Sequence, residues 1–425
     1  MKASLLIKNA TQLVTPVSNF NTVQNLPEMG KLKLIENGAV AVIDDKIVAV
    51  DTTENVLKKV AITGETIVID AGGKTVTPGL IDPHTHPVFF ETREMEFEWR
   101  ALGKGYQEIA AAGGGIRSSV RSLRRATKAQ LIEVVLPRMK RFLENGVTTI
   151  EAKSGYGLSL ADEIKSLEVI RAVNRLQPVE LVPTFLGAHE IPDEYRENRN
   201  EYIRLIIEEM LPRVAEQKLA EFCDVFCEEG VYSLEESRQI LLAASRLGLR
   251  PKIHANQLTA NGAAKLACEV KAISAEHLDH VTPAEIDCMR KTGIIPVLLP
   301  SAVFYLNLNQ YAPARAMIEA GLPIALSTDF NPGTTMTESL PLIMTIACIK
   351  MHLTPAETLI ATTLNAALAI NRQHLIGSLE VGKQADLVVW NIPNYRHLAY
   401  HFGVQLAEFV VKRGQVCYKK SPLSS

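Results

Sequence analysis

VTPGLIDPHTH, residues 76–86, is an apolar run that ends in two histidines one residue apart. Side chains alternate between the faces of a strand, so residues two apart point the same way. A strand here projects His84 and His86 to one side of its end. Both imidazoles can then reach one metal ion without bending the backbone. A His-x-His pair by itself is weak, because two solvated histidines give the same spelling. The flanks favour the metal: Pro78-Gly79 and Asp82-Pro83 bracket the run as turn signals bracket a buried strand that opens onto a functional loop.

Seven more segments downstream read as strands: residues 147–157, 179–189, 222–228, 250–257, 271–278, 293–300 and 323–330. Helical patterns such as LADEIKSLEVIRAVNRL and LEESRQILLAASRLG lie between them. Eight alternating units over roughly 250 residues predict a (β/α)₈ barrel in an α/β fold. A doubly wound open sheet also alternates, but it places a glycine-rich phosphate turn after an early strand. AGGGIRSS (112–119) follows a helix-like segment instead and reads as a mobile loop. Both ends of the chain read as short strands around Asn-Gly, Asp-Asp and Gly-Gly turns, with a loop at 18–31. The expectation is a barrel over 73–375 and a composite β-sandwich domain from 1–72 plus 376–425.

The chain has 425 residues, 47% hydrophobic and 22% charged, with a net charge of −2. That is ordinary globular composition, and it offers no basic field for nucleic acid. The basic stretch at 117–128 reads as the solvated face of a helix. Residues 294–308 are apolar but broken by Pro296 and Pro300, so no membrane span is expected. The six cysteines form no CxxC pair. Cys223 and Cys227 read as buried free thiols, and with no export signal the expected compartment is a reducing cytoplasm.

Polar residues recur at the predicted strand ends: His84 and His86, then Lys153 to Tyr156, His189, His254, His277 and Asp329. Barrel active sites gather on that face. Each has a plain alternative, a hydrogen-bonded core histidine or, for Asp329, a helix N-cap. Six coincidences would be needed to explain them all that way. Imidazole and carboxylate suit a borderline ion such as zinc, iron or manganese. Three histidines and an aspartate leave a position for water, whose pKa the ion lowers from about 16 toward about 7. Asp329 could accept its proton, and a histidine off the metal could polarise a carbonyl.

GLIDPHTH, the later His254 and the STD ending at Asp329 resemble the amidohydrolase superfamily. EFEWRALGKGYQEIAAAGGGIRSSVR, EAKSGYGL, PTFLGAHEIP and STDFNPGT resemble, within it, the imidazolonepropionases. The resemblance implies one divalent or trivalent ion, zinc or iron, held by His84, His86, His254 and Asp329. It implies substrate contacts from Arg93, Tyr156, His189, Gln257, Asn331, Gly333 and Thr334, with Tyr106 a looser candidate. His277 matches the histidine near the reacting carbonyl, so Asp329, His277 and Gln257 are the expected catalytic residues. The implied reaction opens the cyclic amide of 4-imidazolone-5-propanoate, a small-molecule substrate, and the family tends to homodimers.

The residues are consistent with that chemistry. Arg93 can fork a propionate and Tyr156 can add a hydroxyl. The plainer fate of Arg93 is an ion pair with Glu91, Glu94 or Glu96. Glu91 shares a face with Arg93 in extended chain and could neutralise it. Asn256 and Glu276 stand where the family more often has aspartate. An aminohydrolase is the alternative, but those enzymes resemble one another in a glutamate at the position of Gln257, and an amide cannot shuttle a proton that way. A scaffold without catalysis would be expected to lose metal ligands, and here all four are retained.

Overall fold

The computed structural model describes residues 1–17, 28–104, 108 and 113–421, so Tyr106 and most of the 18–31 loop lie outside the described residues. The eight expected barrel strands are present. They are Leu80–Asp82, Val147–Lys153, Glu180–Ala188, Phe222–Cys227, Arg250–Ala255, Ser274–His277, Ile295–Leu298 and Ala325–Leu326. Each pairs in parallel with the next, in chain order. A parallel bridge between Thr85 and Phe330 joins the first strand to the eighth. The Asp82 carboxylate reinforces that seam, accepting from Thr328 Oγ1 at 2.6 Å and from the hydroxyl of Ser327.

Alternation along these strands sorts chemistry by face. Ile150, Ala152, Cys223, Val225, Ile253, Ala255 and Ala275 join the large apolar core beneath the helices. Glu151, Lys153, Asp224, Lys252, His254 and Glu276 sit on the other face and are buried together. A barrel interior is ordinarily filled by branched apolar side chains. This one carries charge at its centre.

The run at 76–86 is not one barrel strand, as its reading suggested. Thr75–Pro78 belongs to the terminal sheet, antiparallel to Leu387–Trp390 and parallel to part of Leu5–Pro16. Only Leu80–Asp82 enters the barrel. The break is at Gly79, where a Cβ would lie 2.4 Å from Thr148 Oγ1. The chain crosses between sheets where no side chain fits.

The terminal strands form one eight-stranded sheet in the order Gln415–Lys419, Ala407–Lys412, Leu387–Trp390, Thr75–Pro78, Leu5–Pro16, Leu32–Ile43 and Lys46–Thr52, with Ile67–Asp70 also beside Leu5–Pro16. Arg413 and Gly414 both have positive φ (51° and 75°), as a two-residue hairpin turn requires. The expected loop at 112–119 is shorter than read: Ile116 already begins the helix Ile116–Arg125, and Ser119, Val120, Ser122 and Leu123 are its buried face.

Trp390 fastens this sheet to the barrel. Its indole N–H donates to Thr77 Oγ1 at 2.8 Å, and its ring lies where a Cβ on Gly146 would stand 2.3 Å away. Gly146 also has φ +81°. Gly146→Ala is therefore expected to lower stability by about 2–4 kcal/mol through left-handed strain plus overpacking. Gly248→Ala, at φ +85° but facing open space, serves as the control and should cost about 1 kcal/mol. Urea denaturation of both variants checks this; equal losses would remove the Trp390 contact from the explanation.

Candidate functional site

The C-terminal ends of the first, fifth, sixth and eighth strands deliver five imidazole or carboxylate groups to one place. His84 Nε2 and His86 Nε2 are 3.2 Å apart. Asp329 Oδ1 lies 3.5 Å from the first and 3.6 Å from the second. Ligands at about 2.1 Å in a tetrahedral shell stand about 3.4 Å from one another. The spacing therefore fits one ion. His254 and His277 converge on His84 as an adjoining group, with ring centroids 4.5 Å and 5.5 Å from it. The five side chains are all buried.

The backbone is bent to achieve this. Asp329, His277 and Leu278 have φ of +54°, +71° and +65°. Non-glycine residues in that region carry strain, and it collects at functional sites. Asp329 Oδ2 accepts from Thr334 Oγ1 at 3.1 Å, which leaves Oδ1 for the histidines. Asp329 is thus no helix cap.

Behind the imidazoles stands a buried carboxylate layer. Glu276 contacts His84 Nδ1, and Asp224 Oδ2 lies 2.9 Å from His254 Nδ1. Lys153 Nζ bridges Glu151, Asp224 and Glu276 at 2.9, 2.7 and 2.9 Å. Lys252 Nζ reaches Glu151 and Glu276 at 2.9 and 2.8 Å. A carboxylate on the rear nitrogen of a ligating histidine fixes its tautomer and turns its other lone pair forward. Burial pushes the His84 pKa down, but Glu276 and Asp329 outweigh it and hold it at about 9. Burial, with His254 and His84 as neighbours, drives His277 well below the usual histidine range. Burial and His254 bring His189 down to about 3. Both are neutral near pH 7.

This layer was missed as a layer when the strands were read. Its signal is visible in retrospect: Glu151/Lys153 and Lys252/His254 are charged or polar residues two apart inside otherwise apolar strands. The unusual Asn256 has a local reason. It sits at φ +50°, and its amide faces the Glu285 carboxylate at 3.2 Å, where a second carboxylate would repel.

Of the other expected residues, His189 and Tyr156 stand beside His86, and Arg93 meets the loop that runs from Asp329 to Thr334. The His189 ring stacks on His86 at 5.1 Å, and its Nδ1 bonds the Gly155 carbonyl at 2.9 Å. The ring of Tyr156 is 5.3 Å from His189 and is buried. Glu163 holds its loop by accepting from the backbone N–H groups of Gly155, Gly157 and Leu158. Asn331 spends its side chain on the loop itself, donating to Asp329 O and accepting from Gly333 N and Thr334 N. Gly333 makes room for Arg93, whose Nη1 would stand 2.3 Å from a Cβ there. Arg93 is paired with Glu96 at 2.9 and 2.6 Å, whereas Glu91 turns to Arg125 at 3.3 Å. Of the three glutamates open to Arg93 it is Glu96 and not Glu91 that pairs with it, because the helix Glu94–Ala101 starts immediately after Arg93 and brings Glu96 round to it. Gln257 is half-buried beyond the fifth strand and makes no hydrogen bond to another described residue.

The amidohydrolase family profile matches residues 75–416. An imidazolonepropionase of Geobacillus sp. (strain WCH70) is 49% identical over 420 residues, covering 99% of each chain. One from Alkaliphilus oremlandii is 47% identical, again over 99% of each chain. Among solved structures, the guanine deaminase of E. coli superposes with a TM-score of 0.72 at 14% identity, covering 98% of this chain and 99% of the other. At that identity the likeness concerns the fold.

Asp329→Ala and His254→Ala are each expected to abolish turnover with the circular dichroism spectrum unchanged. Wild-type rates in either would remove that residue from the centre. Glu276→Gln should weaken metal retention by about 10–100-fold, read by competition with a chelator. Unchanged affinity would show that the carboxylate behind His84 does not tune it.

Proposed function

The chain belongs to the amidohydrolase family, and on that footing we propose that it hydrolyses the cyclic amide of 4-imidazolone-5-propanoate to N-formimidoyl-L-glutamate. The observation that carries this is one loop that serves two groups: Asp329 lies 3.5 and 3.6 Å from His84 and His86, and four residues on Gly333 lies against the Arg93 guanidinium. A ring amide and a carboxylate three bonds away from the ring match that pair of chemistries. The full-length likeness to proteins of that name supports the same substrate.

His84, His86, His254 and Asp329 would hold the ion, zinc or iron, which supplies Lewis acidity that makes a water nucleophilic near neutral pH. Asp329 is placed to take a proton from the attacking water, its Oδ2 steadied by Thr334. Neutral His277 can donate to the ring carbonyl oxygen as charge develops there. Water adds to that carbonyl carbon, the adjoining C–N bond breaks, and the leaving nitrogen takes up a proton. His189, anchored by the Gly155 carbonyl, presents Nε2 to the ring. Gln257 offers an amide to the ring nitrogens. Arg93 and Tyr156 take the propionate, and Asn331, Gly333 and Thr334 shape the wall against the ring. Tyr106 is assigned here by resemblance alone. The same resemblance supports a cytoplasmic homodimer. Among the described residues no helix is long and apolar enough to cross a membrane. We assign the barrel to 73–375 and the composite unit to 1–72 plus 376–425, with Thr75–Pro78 as the strand shared between them.

An aminohydrolase reading has the fold in its favour. It lacks a carboxylate at position 257 to carry a proton to departing ammonia.

Purified protein given imidazolone propionate, dihydroorotate, hydantoin and guanine should open only the first ring; ammonia from guanine would favour the alternative. Arg93→Ala should raise KM about 10–100-fold for the propionate-bearing substrate, as expected on losing charge-assisted hydrogen bonds. An equal effect on the ring without its side chain would take Arg93 out of carboxylate recognition.

A further inference from the structure

We propose that Arg100 is a second cationic contact for the substrate's carboxylate, working beside Arg93 at Gly333. The proposal rests on the substrate reading above and adds a specificity residue to it.

Arg93 caps the helix Glu94–Ala101, and Arg100 stands seven residues on. Seven residues are close to two helical turns, so both side chains leave the same face. They meet the same loop. Arg93 Nη1 lies against the Cα of Gly333, and Arg100 Nη2 donates to the Gly333 carbonyl at 2.7 Å. Both guanidiniums therefore meet Gly333.

Their remaining donors are unequal. Glu96 occupies Nε and Nη2 of Arg93, and it is itself held by the backbone N–H of Gly115 at 2.9 Å. That leaves Arg93 Nη1. Arg100 has a buried Nη1 with no hydrogen-bond partner among the described residues. Its guanidinium lies 5.4 Å from the centre of the Tyr305 ring, an apolar backing that offers no anion. Glu96 thus pairs with Arg93, while among the described residues Arg100 forms no ion pair with a carboxylate. Burial lowers the pKa of Arg100, and the nearby Arg93 adds to that. A buried, unsatisfied guanidinium donor beside a second cation is unfavourable until an anion arrives. The chemistry that answers both free donors is a carboxylate, which planar guanidinium donors suit.

The plainer role for Arg100 is to anchor the loop through Gly333. That role uses Nη2 alone and needs no charge. Arg100→Gln separates the two, because an amide can still donate to the Gly333 carbonyl but carries no charge. We expect KM for imidazolone propionate to rise about tenfold with kcat within about twofold, and KM for the ring lacking the propionate to move less than about twofold. Arg100→Lys should recover part of the loss. Equal changes on both substrates, or none on either, would overturn the proposal. Glutarate binding, measured by calorimetry on wild type and Arg100→Gln, needs no turnover. It should weaken about tenfold in the variant, and equal affinities would also overturn the proposal. Wild type that binds glutarate in this charge-dependent way yet leaves imidazolone propionate intact would sink the substrate reading and keep the Arg100 site.

Discussion

Two buried lysines hold the centre together. Lys153 and Lys252 are fully buried inside the barrel, and between them they pair with Glu151, Asp224 and Glu276. Ions so far from water are costly unless each is matched, and removing one partner strands another. The network is therefore rigid in its geometry. Asp224 and Glu276 extend from it to the rear nitrogens of His254 and His84. The orientation of the imidazoles follows from charges deeper in the barrel. The raised pKa of His84 says the same in another form: Glu276 behind the ring, helped by Asp329, outweighs the burial that would lower it.

The frame around this network is arranged to resist collapse. Thr85 and Phe330 close the barrel, and Asp82 ties the first strand to Thr328, one residue from Asp329. Those tethers hold Asp329 in its left-handed conformation and keep its carboxylate turned toward His84 and His86. On the open side, Glu163 fixes the loop of Tyr156 and Asn331 fixes the loop of Gly333 and Thr334. Catalysis by positioned charge requires such a site to be built before substrate arrives.

Much of this was legible from the chain. Short apolar runs interleaved with helical patterns marked the barrel strands, because a parallel barrel alternates strand and helix along the chain. Histidines and Asp329 at their ends were visible because ligand chemistry restricts residue type. What escaped reading depended on partners far away in sequence. Whether residues 76–86 made one strand or two was decided by Thr148 crowding Gly79, and Pro78-Gly79 was its only local mark. The choice of Glu96 over Glu91 by Arg93 followed from where a helix begins. The lysine–carboxylate network needed five residues on four strands to be seen together, and each alone reads as a surface charge.

Anomalous diffraction from crystals of the purified protein, collected at and away from a metal absorption edge, tests the central claim most directly. The account predicts a single peak about 2 Å from His84 Nε2, His86 Nε2 and the Asp329 carboxylate. Full-occupancy protein with no peak there, or with those side chains turned apart, would contradict it.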